Sequence, residues 1–280
     1  MVKCLHKIVY YLAVFVFLIL TLGPIIWCFI ISISPETEMF QDTTRFLPEE
    51  PVWDNYINLL GLQSRQSETF MNSLGNSLIS VVITILIGLP IAVMAAYALS
   101  RLEFPGKRLI RTALLITMVI PVFTTIIPLY TIFAGFGILD NNFWLSVIYV
   151  TSFLPMVVWV LSNYFSTIPK ELDEAALIDG CGRLRIFFDI ILPNAYPIIL
   201  AAILMLFLMT WSQYQIPLIL ASSRDTKPLS MIVAEFSSKD LIQYGITAAA
   251  GILAILPPAF FAVIFRKYLV SGLTRGAVKE

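Results

Sequence analysis

The chain has 280 residues, 59% of them apolar and 13% charged, with a mean hydropathy of +0.87. Soluble domains sit near about 45–50% apolar and about 25% charged, so this is a membrane protein. Eighteen basic residues balance eighteen acidic ones, and net charge gives no argument for a nucleic-acid partner. Cys4, Cys28 and Cys181 lie far apart, which is neither a disulfide framework nor a CxxC metal pattern. His6, the only histidine, sits between Lys3 and Lys7 and reads as a solvated flank.

A spanning helix needs about 20 mostly apolar residues, and the apolar blocks reach that length six times. The first, residues 1–33, begins with a basic flank but is too long for a signal region and has no small-x-small cleavage site after it. A kink is expected at Gly23-Pro24. Residues 34–72 are a polar connector, broken by Pro35, Pro48 and Pro51, in which VWDNYINLL predicts a short interfacial helix carrying Trp53 and Tyr56. That connector is either a decorated link or a binding element.

A core from 73 to 265 follows, with spans expected at Ser73–Leu99, Thr112–Phe133, Phe143–Phe165, Ala195–Ala221 and Ile246–Phe265. Residues 266–280 form a basic tail. Six spans put both ends on one side. That side holds Lys3, Lys7, Arg101, Lys107, Arg108, Arg111, Lys170, Arg183, Arg185, Arg266, Lys267, Arg275 and Lys279, thirteen of the eighteen basic residues. The other holds Arg45, Arg65, Arg224, Lys227 and Lys239. The positive-inside rule then places both termini in the cytoplasm.

No ionisable residue falls in the middle of any predicted span. Such residues mark proton relays, ion paths and voltage sensors, so if the protein concentrates a solute its energy is expected to enter from a partner. A passive channel, or a carrier using backbone carbonyls, stays open. No phosphate-binding loop is present: Gly106-Lys107 is followed by Arg108, and Arg101 stands where the first glycine of GxxxxGK[ST] belongs. GxSxG and HExxH are absent too, so an embedded enzyme is a weak reading.

Polar uncharged residues do recur at membrane depth. The fifth span contains Trp211, Ser212, Gln213, Tyr214 and Gln215, and helical spacing would put Trp211, Tyr214 and Gln215 on one face. Amides, hydroxyls and ring faces suit a neutral polyhydroxylated solute; interhelical hydrogen bonding uses the same residue types. Both readings stand. Thr117, Thr124, Thr125 and Tyr130 of the third span fit packing or bonding to their own backbone.

The connector 166–193, STIPKELDEAALIDGCGRLRIFFDIILP, differs from the others in its ordered chemistry. Thr167 is placed to cap a helix with Pro169 in its first turn. Glu171, Asp173 and Glu174 suit the positive end of its dipole, and Gly180 suits a left-handed end. Leu172, Ala175 and Ala176 offer a narrow apolar face, which a plain link would not need and a docking element would.

These residues resemble a family. Glu174-Ala175-Ala176, three residues, Gly180, nine residues, Ile190, one residue and Leu192-Pro193 is similar to the EAA loop of ABC-importer permeases. Asn72-Ser73-Leu74 or Asn76-Ser77-Leu78, Tyr97-Ala98-Leu99-Ser100-Arg101, Ile168-Pro169-Lys170-Glu171-Leu172 and Pro217-Leu218 extend the likeness to the maltose-type carbohydrate permeases. Where family members often carry Trp-Asn and an acidic residue, this chain has Trp211-Ser212-Gln213.

The resemblance implies an all-α polytopic protein with the type I ABC-importer permease fold in a bacterial or archaeal inner membrane. It implies two cytoplasmic ATPase subunits holding ATP and magnesium, a second related permease, an extracellular solute-binding protein and a sugar. Leu172, Glu174, Ala175, Ala176, Asp179, Gly180 and Arg183 would then couple to an ATPase. No cofactor is implied on this chain. A permease of the same fold for another solute, and a channel or secondary carrier, are the alternatives.

Overall fold

The structure, a computed structural model, describes residues 2–41, 46–61, 64–237 and 243–274. Arg45, Lys239, Arg275 and Lys279 of the charge census, and with them the end of the predicted tail, lie outside the described residues. Among the described residues every regular element is helical. They divide into two compact units, one built from residues up to Asn72 and from Met231 to Pro257, the other from Ser73 to Ser230 and from Pro258 onward.

The first unit holds α1 (Val2–Ser32), α2 (Glu36–Gln41), α3 (Asp54–Leu60), the start of α4 (Arg65–Arg101), most of α13 (Leu229–Phe236) and the start of α14 (Tyr244–Thr274). Helix α1 is apolar on every side, and its large side chains from Ile8 to Leu20 are exposed. Lipid tolerates that surface because the helix satisfies its own backbone. The helix runs through Pro24 without interruption. The expected interfacial helix is α3, anchored to the end of α1: Asn55 Nδ2 donates to the Ser32 carbonyl at 2.9 Å, and the Ser32 and Tyr56 hydroxyls share a 2.7 Å bond.

The second unit holds the rest of α4, then α5 (Lys107–Thr117), α6 (Val122–Gly135), α7 (Asn142–Phe165), α8 (Glu171–Ile178), α9 (Arg183–Ile186), a π-helical turn (Phe187–Ile191), α10 (Leu192–Asn194), α11 (Tyr196–Trp211), α12 (Pro217–Leu220) and the end of α14. Its core joins Tyr149, Phe153, Val157 and Leu161 of α7 to Ile198, Ala202 and Leu206 of α11 and to Ala92 and Ala96 of α4. Small residues let α4 sit close. A Cβ added at Gly88 would lie 3.5 Å from the Val150 side chain and 3.8 Å from that of Leu206, so side chains of α7 and α11 pack onto the α4 backbone there.

Among the described residues four helices are long and apolar enough to cross a membrane: His6–Ser32, Arg65–Arg101, Asn142–Phe165 and Tyr244–Lys267. The count reaches six if two bent pairs each make one span. The third expected span is one of these pairs, α5 and α6 meeting at 95°. Pro121 supplies no N–H and disfavours helix at Ile120, so the chain turns there. The fifth is the other, bent by 77° between Arg183–Asn194 and Tyr196–Trp211, with Pro193 and Pro197 flanking the break at Ala195. It ends at Trp211 rather than Ala221. Helix α4 starts at Arg65 rather than Ser73, and α14 outruns its expected bounds at both ends.

Candidate functional site

Helix α8 is the centre of the connector. Glu171, Asp173 and Glu174 occupy its first turn, at the positive end of its dipole. Its end is a Schellman turn: Gly180 N–H bonds Leu177 O at 3.1 Å and Cys181 N–H bonds Ala176 O at 2.9 Å. Gly180 takes φ +80°, the left-handed conformation expected of it. The expected cap differs. Helix α8 begins only after Lys170, Pro169 precedes it, and the Thr167 hydroxyl donates to Tyr164 O at 2.7 Å instead. A carbonyl one turn back is within reach of that hydroxyl, whereas the α8 amides are not.

The expected docking face also needs correcting. Ala176 is only 6% exposed and packs into the core, while Leu172 and Ala175 remain on the surface. The large apolar side chains outside are Ile178 (87% exposed), Leu184 (76%) and Phe188 (57%), with Leu177 beside them. Sequence reasoning passed over these four. Their signal was present: bulky apolar residues on both sides of Gly180, interleaved with Asp179, Arg183, Arg185 and Asp189, in a connector with no reason to expose them. Glu174, Asp179, Gly180 and Arg183 are on the surface as expected.

Both arms of this connector are held by the last turn of α4. On the leading arm, Arg101 Nη2 donates to Ile168 O at 2.6 Å, and Nη1 lies 3.6 Å from Asp173 Oδ2. The Arg101 side chain is 3% exposed and that of Asp173 19%. On the trailing arm the Tyr97 ring packs against Phe187 with centroids 4.8 Å apart, and its hydroxyl lies 3.5 Å from Arg183 O.

The polar residues after α11 do not form the expected helical face. The helix stops at Trp211, and Gln213 and Tyr214 lie in irregular backbone. Trp211 is 8% exposed and stacks on Phe207 at 5.6 Å, so it packs rather than faces outward. Gln213 bends its own chain: its Oε1 accepts from the N–H groups of Tyr214 and Gln215, both at 3.1 Å. Its backbone carbonyl accepts from Ser230 Oγ at 2.6 Å. Ser212, Tyr214 and Gln215 remain exposed. Thr117, Thr124 and Thr125 bond to carbonyls three residues back, as one of their two readings held.

A further polar knot was not foreseen. Asp140 has φ +54° and its Oδ1 accepts from Ser222 N (2.5 Å), Ser223 N (2.7 Å) and Thr226 Oγ1 (3.0 Å). Partial burial works against its ionisation, but these bonds outweigh it and hold its pKa below the ordinary aspartate value. An open basin of about 810 Å³ is lined by Glu103, Phe104, Lys107, Arg108 and Arg111 among others. Lys107 is bonded there to Glu103 Oε1 and Leu102 O, both at 2.9 Å, and Arg111 to Leu99 O at 3.1 Å.

The fold defines the class. A chain of a bacterial ABC transporter that imports the acidic polysaccharide alginate superposes with a TM-score of 0.78 at 23% identity, covering 96% of this chain and 98% of that one. The MetNI methionine ABC transporter in an inward-facing form superposes at 0.55 and 17% identity, over 74% of this chain and 95% of that one. This is the type I ABC-importer permease fold. Residues 88–275 match the family described as binding-protein-dependent transport system inner membrane component, and the chain belongs to that family. It is a membrane-embedded transport subunit.

Similar proteins include the trehalose transport system permease SugB of Mycobacterium tuberculosis (strain CDC 1551 / Oshkosh), 35% identical over 91% of this chain and 92% of that one. The trehalose/maltose transport system permease MalG of Thermococcus litoralis (strain ATCC 51850 / DSM 5473 / JCM 8560 / NS-C) is 30% identical over 99% and 98%. The inner membrane ABC transporter permease YcjP of Escherichia coli (strain K12) is 31% identical over the same shares.

Proposed function

We propose that this chain passes a sugar, released by an extracellular solute-binding protein, across the inner membrane of a bacterium or archaeon. Two cytoplasmic ATPase subunits hold the ATP and magnesium, and a second related permease completes the path. Both termini lie in the cytoplasm on this reading, which rests on the thirteen-to-five division of basic residues. The sugar assignment draws on relatives at 30–35% identity that are permeases for trehalose and for trehalose or maltose.

The observation that carries the coupling reading is the surface around Gly180. A short helix with an acidic first turn, closed by a Schellman turn, leaves Ile178, Leu184 and Phe188 uncovered beside Arg183. Each large apolar side chain buried by a partner contributes about 1.5–3 kcal/mol, and Glu174 and Arg183 add charge-based selectivity at the rim. Helix α8 with α9 is therefore the piece seated in the ATPase.

The test is uptake of trehalose, maltose and maltodextrin by cells carrying the whole importer. Uptake of at least one is expected, and Glu174→Lys should abolish it while the chain still inserts. Failure of all three sugars would sink the substrate assignment. Normal uptake by the Glu174→Lys variant would sink the coupling assignment.

A further inference from the structure

We propose that α4 is the rod that carries displacement of the coupling segment to the Gln213 turn, and that Arg101 is the positioning residue at its driven end. The inference rests on the coupling reading of α8 and α9. It accounts for Tyr97 and Arg101, which no other part of the function uses.

At one end, residues one turn apart on α4 hold both arms of the coupling segment: Arg101 the leading arm through Ile168 O and Asp173, Tyr97 the trailing arm through Phe187 and Arg183 O. At the other end, Asn76 Nδ2 donates to Lys227 O at 3.2 Å, and Ser77 Oγ accepts from Leu229 N at 2.8 Å. Ser230, the next residue, donates its hydroxyl to Gln213 O. From Ser77 to Arg101 a helix covers about 36 Å. The helix is uninterrupted over that length.

The covalent routes out of the coupling segment are more compliant. The trailing arm passes a π-helical turn and then the 77° bend at Ala195 before α11 begins. The leading arm crosses an irregular turn from Ser166 to Lys170. A push on α8 can flex both. Arg101 bridges the leading turn directly to a continuous helix, whose buried Ala92 and Ala96 pack in the core of its unit.

The Arg101 contact also has room for a second arrangement. Among the described residues Arg101 Nε and Nη1 and Asp173 Oδ1 make no hydrogen bond, and the pair stands at 3.6 Å. A small advance of α8 turns this ion pair into a fork of two hydrogen bonds. Coupling needs such an element with two arrangements.

The experiment uses the complete importer in proteoliposomes and reads ATP hydrolysis with and without its binding protein, purified carrying the solute it takes up in the host. Arg101→Gln should cut the stimulation about tenfold, with the complex assembled and basal hydrolysis retained. Asp173→Asn, which spares the Ile168 bond, and Ser230→Ala, at the far end, should each cut it about threefold. Because they act on one line, Asp173→Asn with Ser230→Ala should lose little more than the worse single variant.

Full stimulation in Asp173→Asn and Ser230→Ala overturns the proposal, and so does a double variant whose losses multiply. Should Arg101→Gln not assemble, those three variants decide alone. Glu174→Lys is run in parallel: if it too is fully stimulated, the coupling reading has failed. If it is not, and the α4 variants are normal, only the rod is wrong.

Discussion

Asp140 concentrates three accepted bonds on a single carboxylate oxygen, and its own N–H donates to Leu220 O at 3.1 Å. A non-glycine residue at φ +54° needs such compensation. Asp140→Ala removes every side-chain bond, about 1–3 kcal/mol discounted for its exposure. Amide hydrogen exchange at Ser222 and Ser223 should accelerate roughly fivefold to thirtyfold. Asp140→Asn keeps a neutral acceptor and should fall between. The pH sign follows from the lowered pKa. The carboxylate's contribution is complete above the ordinary aspartate value of about 3.9 and is lost as pH falls through the lower folded value. Protection of both amides should therefore hold through the ordinary carboxylate range and fail only below it. Loss of protection near pH 5 would contradict this account.

At the scale of elements, α8 depends on how it ends. Gly180 at φ +80° closes the Schellman turn, whereas Gly182, two residues on, has φ −73°. A Cβ at either meets nothing within 4 Å, so backbone conformation alone separates them. Gly180→Ala should cost about 1–2 kcal/mol in the left-handed region and weaken capture of the ATPase roughly fivefold to thirtyfold, while Gly182→Ala should leave it unchanged. Equal behaviour of the two variants would remove the Schellman turn from the explanation. The helix, its acidic start and Gly180 were legible because local chemistry sets them. The burial of Ala176 was not, since it depends on packing of α8 against distant segments, and neither was the π-helical turn. The breaks at Pro121 and Ala195 escaped for a related reason. Apolar composition identifies a span's length, but proline decides whether the backbone runs through it or turns, and it runs through Pro24, Pro90 and Pro155.

For the molecule as a transporter, packing and solute contact have to be separated within one short segment. Trp211 and Tyr214 look equivalent in the sequence, as aromatic residues of one polar run. In the structure Trp211 is buried and stacked on Phe207, while Tyr214 is 39% exposed just past the end of α11. Gln213 holds the turn that places Tyr214 and Gln215 outward. Trp211→Ala should therefore cost about 3–5 kcal/mol of stability, visible as a lower unfolding temperature in detergent. Tyr214→Ala and Gln215→Ala should leave that temperature unchanged and raise the solute concentration for half-maximal uptake about threefold to tenfold, the worth of one stacking or hydrogen-bonding contact. Gln213→Ala should show both effects, because losing the turn displaces its neighbours. If Tyr214→Ala and Gln215→Ala alter assembly with the second permease but not the half-saturating concentration, the exposed residues belong to the permease–permease contact and the solute path lies elsewhere.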